Sequence, residues 1–78
     1  MTVSIAVVHH EHGINVYVAK TPKGLTRQLA DYAADWWSDI SDKPRPPASW
    51  SPGRIVREYF SKQASEYYDR YDRMEVED

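Results

Sequence analysis

From Thr21 to Ile40 the chain sets Leu25, Leu29, Tyr32, Ala33, Trp36 and Ile40 mostly three and four positions apart. A helix of 3.6 residues per turn gathers such residues on one side, and that side is expected to face a core. Thr21 can cap the first turn with its hydroxyl, and Pro22 suits the first helical position, where no backbone donor is needed. Gly24 weakens this start by about 1 kcal/mol relative to alanine. Asp31, Asp35, Asp39 and Asp42 follow at steps of four, four and three, forming an acidic stripe displaced from the apolar side. That stripe breaks two local rules. Its members repel one another, and the last of them sit where the helix dipole disfavours anions. Within the helix only Arg27, one turn before Asp31, offers relief. Such an uncompensated violation is a place to look for function, although a solvated face or neutralisation by basic groups elsewhere would also accommodate it.

The helix needs something to cover. Val3, Ile5 and Val7 alternate with Ser4, Ala6 and Val8, and alternation resumes as Ile14, Val16 and Val18. Two strands joined within His10 to Gly13 make a hairpin, with Gly13 best able to take a positive φ. A hairpin alone is marginal in water, so the helix is expected to lie on one of its faces.

From Asp42 to Pro52 the chain is punctuated by Pro44, Pro46, Pro47 and Pro52, which forbid a continuous helix. Trp50 is expected to anchor this connector. Ser51 and Pro52 then start a second helix to about Gln63, turning Ile55, Val56, Tyr59 and Phe60 inward. The tail from Ser65 to Asp78 has two readings. Val56, Phe60, Ala64, Tyr67, Tyr71 and Met74 keep helical spacing, whereas Tyr68, Arg70, Asp72, Met74 and Val76 alternate as in a strand. The strand is preferred because a third strand stabilises the hairpin. The expected fold class is α+β, in the order ββααβ, with two helices on one face of a small antiparallel sheet.

Seventy-eight residues make a single αβ domain, 1–78, with one marginal core. Three Trp and six Tyr can supply much of its burial. No Cys is present, so neither a disulfide framework nor a thiolate metal site is available. No apolar run approaches bilayer-spanning length and no leader pattern opens the chain, so a cytoplasmic protein without membrane association is expected. The net charge of −2 is unevenly distributed: residues 26–42 carry −3 and residues 43–62 carry +4. These blocks can pair in the fold or face a charged partner.

Chemistry-bearing groups are sparse. His9, His10 and His12 surround Glu11, and His10 and His12 would share one side of an extended strand. Two converging nitrogens fall short of a structural zinc site, so no metal and no cofactor is expected. No nucleophile or carboxylate constellation accompanies the histidines, which points away from an enzyme. Arg54, Arg57 and Lys62 form the alternative site, a phosphate-binding surface for a small nucleic-acid-binding regulator; the modest basic excess makes direct nucleic-acid binding the lesser reading.

The hairpin carrying His10, Glu11, His12 and Gly13, the helix with Tyr32 and the Trp36 to Trp37 cluster, and the helix from Ile55 to Phe60 form a layout similar to that of small bacterial and phage proteins. As a compact acidic domain without a catalytic signature, the chain resembles phage inhibitors of the anti-CRISPR type. The resemblance covers the whole chain as a type and assigns no residue a role. It implies stoichiometric binding to a bacterial nucleic-acid-binding defence complex, often over its nucleic-acid path. The mechanism consistent with it is charge mimicry: Asp31, Asp35, Asp39 and Asp42 would occupy a positive groove, with Trp37 as the aromatic anchor beside them. Trp37 could instead widen the core face. Exposed aromatics could also join two copies in a homodimer.

Overall fold

In a computed structural model of the chain, residues 1–77 are described; Asp78, the last residue of the tail segment, lies outside them. Strands β1 (Thr2–His10) and β2 (Gly13–Ala19) are followed by helix α1 (Pro22–Asp35), a short 3-10 turn (Trp37–Asp39), helix α2 (Pro52–Lys62) and strand β3 (Tyr67–Glu75). The sheet is antiparallel with order β2-β1-β3, so the fold is α+β in the order ββααβ. By density of contacts the chain forms two units, one of Met1–Leu25 with the tail from Ser65, the other Thr26–Ala64.

In the first unit β1 is the middle strand. It pairs with β2 from Ser4 opposite Ala19 to His10 opposite Gly13, leaving Glu11 and His12 as the turn. Gly13 sits at φ +134°, a conformation that side-chain-bearing residues rarely adopt. On the other edge β3 returns with His9 opposite Tyr67 and Val3 opposite Met74. The tail is therefore a strand, and the chain's last segment completes the sheet that its first segment began. The register slips by one residue between Val3 and Ile5, where Arg73 adopts a left-handed φ of 56°. This is a β-bulge. Without the extra residue Arg73 would stand opposite Val3; with it, Met74 does.

The two faces of β1 differ. Ser4, Ala6 and Val8 on one face are fully buried, whereas Ile5, Val7 and His9 on the other are only half-buried. Arg70, which shares the Ala6 side, reaches the start of α1 and donates from Nη2 to the Pro22 carbonyl at 2.8 Å. The α1 cap forms as its residues dictate: Gly24 N–H donates to Thr21 Oγ1 at 3.0 Å. A Cβ at Gly24 would stand 3.1 Å from that same oxygen and 3.4 Å from the Ala19 Cβ, so the helix-weakening glycine permits the close approach of its cap.

In the second unit α1 and α2 share an aromatic core. Tyr32 meets Tyr59 edge-on at 6.0 Å and stacks on Phe60 at 6.3 Å. Leu29, Ala33, Val56 and Tyr59 are buried with them. Ser51 caps α2 by accepting from the Arg54 N–H at 3.3 Å, with Pro52 at the first position. No described helix is long and apolar enough to cross a membrane.

The Ser4 hydroxyl is buried with no hydrogen-bond partner among the described residues. An unmade hydrogen bond of this kind costs about 1–3 kcal/mol. Replacing Ser4 by alanine is therefore expected to hold or raise stability by about 1 kcal/mol in urea unfolding. A comparable loss would show that the hydroxyl is satisfied.

Candidate protein-binding surface

The acidic segment is built differently from a single helical stripe. α1 stops at Asp35, so only Asp31 and Asp35 lie one turn apart on an α-helix, separated by about 6 Å of rise. Trp36 leaves the helical region at φ −106°, ψ 17°, and the chain tightens into the 3-10 turn, with Asp39 N–H donating to Trp36 O at 3.0 Å and Ile40 N–H to Trp37 O at 3.1 Å. Asp39 belongs to that turn and Asp42 to the loop beyond it. The cause is local. The last turn of α1 holds no basic residue, and its carboxylates oppose the dipole, so continuing the α-helix through Asp39 gains little.

This early stop corrects the reading of the two tryptophans. An unbroken helix would bury Trp36 and place Trp37 beside the aspartates. Because the angular progression changes at Trp36, Trp37 points inward instead and is 4% exposed, while Trp36 is 51% exposed. Trp37 packs edge-on against Trp50 at 5.9 Å and stacks on Tyr59 at 6.4 Å. It is a core residue of its unit and cannot be an exposed anchor. Trp36, which the periodicity assigned to the core, is the aromatic at the surface. Trp50 anchors the proline-rich connector as expected.

All four aspartates remain exposed. Asp35 is approached by Arg45 from the connector, at 3.8 Å between two well-exposed groups. Exposed pairs of this length contribute about 0–1 kcal/mol, so the charge is tempered rather than cancelled. Asp31, Asp39 and Asp42 form no ion pair among the described residues, and Arg27 makes none with Asp31.

Two of the three basic residues of α2 have partners of their own. The Arg54 guanidinium lies 4.0 Å above the Trp50 ring, and Lys62 pairs with Glu58 one turn earlier at 3.6 Å. Arg57 is exposed. Of the three, Arg54 thus carries a structural duty in holding Trp50, one that spacing alone does not reveal.

The histidines do not gather. His9 stacks on Tyr67 at 4.4 Å and hydrogen-bonds Asp69 at 3.1 Å across the β1–β3 pair. His10 Nδ1 accepts from the His12 N–H at 3.2 Å, and His12 lies in the turn rather than on a strand. Among the described residues no three His, Cys, Asp or Glu side chains are placed to hold a metal ion. Compared with family models, with curated proteins and with solved structures, the chain matches none.

The swapped roles of the adjacent tryptophans can be tested directly. Trp37→Ala is expected to cost about 3–5 kcal/mol in urea unfolding, and Trp36→Ala less than about 1 kcal/mol. The reverse order would restore the unbroken helix.

Proposed function

We propose that the chain is a non-catalytic protein-binding inhibitor, of the kind phages direct against CRISPR-type defence, acting in the cytoplasm by occupying a basic nucleic-acid path on its target. The observation that carries this reading is the exposed run of Asp31, Asp35, Asp39 and Asp42, three of which meet no cation among the described residues. A helix turn followed by a 3-10 turn spreads these carboxylates along the chain as separate anionic points. A groove that tracks phosphates binds through spaced lysines and arginines, and complementary charge speeds such an encounter.

The aromatic anchor is Trp36. It adjoins Asp35, is half-exposed, and can bury a large apolar area in a partner without disturbing the Trp37 core. Asp31, Asp35, Asp39, Asp42 and Trp36 form the binding set, with Arg45 free to swing from Asp35 because that pair is weak.

The test is affinity capture from a lysate of CRISPR-bearing bacteria, comparing the native chain with the Asp31→Lys, Asp35→Lys, Asp39→Lys variant. The native chain is expected to retain a nucleic-acid-binding complex, and the variant to lose it at unchanged far-ultraviolet circular dichroism. Added DNA is expected to compete for the captured complex. Retention that ignores both the reversal and the competitor would overturn the proposal, as would failure to retain any such complex.

A further inference from the structure

We propose that the half-exposed face of the three-stranded sheet binds a second copy of this chain, forming a face-to-face dimer. The proposal rests on the sheet alone and is independent of the acidic segment.

An antiparallel sheet with one solvated face ordinarily turns polar residues outward. Strand β2 inverts that rule. Ile14, Val16 and Val18 stand opposite His9, Val7 and Ile5 and so share their half-buried face, while Asn15, Tyr17 and Ala19 take the other. On the opposite edge Tyr67 and Tyr71 face the same way, opposite His9 and Ile5. The bulge at Arg73 extends the row by setting Met74 opposite Val3, where an unbroken register would put an arginine. These six outer side chains, Ile14, Val16, Val18, Tyr67, Tyr71 and Met74, are between 44% and 59% exposed. Together they present on the order of 600 Å² of mostly apolar surface, at the upper limit for a typical monomer.

Two properties select a copy of the same face as the occupant. The first is charge. Asp69, the carboxylate seated among these side chains, already bonds the His9 ring of its own copy at 3.1 Å, so apposing two such faces does not leave it without a polar partner. The second is area and shape. Two faces of this size bury on the order of 1,200 Å² in total, the lower bound of stable protein interfaces. Sheets pack on sheets about 10 Å apart by interdigitating residues of the β-branched and aromatic kind found here. The interface is isologous, so a twofold axis closes it at two copies.

The experiment is sedimentation equilibrium on the full chain from low micromolar to several hundred micromolar protein. The native chain is expected to move from 9.1 kDa toward twice that mass as concentration rises. Val16→Asp is expected to remain at monomer mass throughout. Should that variant fail to fold, the near-isosteric pair Val16→Thr with Val18→Thr keeps strand propensity and is expected to raise the dimer dissociation constant about ten-fold or more. Asp35→Lys, on the acidic segment, is expected to leave the dimer unchanged. A native chain that stays monomeric throughout would overturn the proposal, whatever other protein it binds. So would a dimer indifferent to the valine substitutions, or one dissolved by Asp35→Lys.

Discussion

The pairing of β1 on both of its edges is the interaction on which the rest depends. β1 and β2 alone would make a two-stranded hairpin, and such a ribbon is marginal in water. The return of β3 to the other side of β1 converts the hairpin into a three-stranded sheet, and it does so by joining segments more than fifty residues apart. Closing so long a loop costs chain entropy that local contacts do not offset. The ladder from His9 and Tyr67 to Thr2 and Glu75 is what compensates, supported by the His9 stack on Tyr67 and by the Arg70 bond to the Pro22 carbonyl. The fully buried Ser4, Ala6 and Val8 lie on this central strand, as expected of the position from which a small sheet gains most.

The second unit solves the same problem of size by other means. With few aliphatic residues available, it assembles Tyr32, Trp37, Trp50, Tyr59 and Phe60 into one aromatic cluster, in which large rings supply area that a chain of this length would otherwise lack. The early end of α1 and the path of the connector both lead into that cluster. Trp37 enters it because the helix has given way to a 3-10 turn, and Trp50 is held in it between Trp37 and the Arg54 guanidinium. The same event takes Asp39 and Asp42 off the helix that carries Asp31 and Asp35. Core and candidate binding surface are thus two outcomes of one local change in helical geometry.

What the sequence made legible follows from how local each cause is. Both helix starts were readable, because Thr21 with Pro22 and Ser51 with Pro52 act within one turn. So were the hairpin and its Gly13, and the order ββααβ. The end of α1 was not, since a regular periodicity carries on past the point where opposing charge and tertiary burial outweigh it. That single error exchanged Trp36 for Trp37. The tail is recognisable as a strand, but the bulge at Arg73 reverses its alternation beyond Asp72, and a bulge at a non-glycine residue leaves no sign in the pattern. The polarity of the hairpin faces was equally hidden: both rows of β1 are apolar enough to be buried, and only the sheet partners distinguish them. For the acidic site, exposure of the four aspartates agreed with their spacing, while the approach of Arg45 came from a connector whose path spacing does not determine.

Native-state amide hydrogen exchange, followed residue by residue, tests the central pairing most directly. If β3 completes the sheet, its amides bonded to β1 are protected to the same level as those of β1 and exchange together with them. Amides of residues 67–75 that exchange at free-peptide rates, while the β1–β2 hairpin stays protected, would show that the tail is not the third strand.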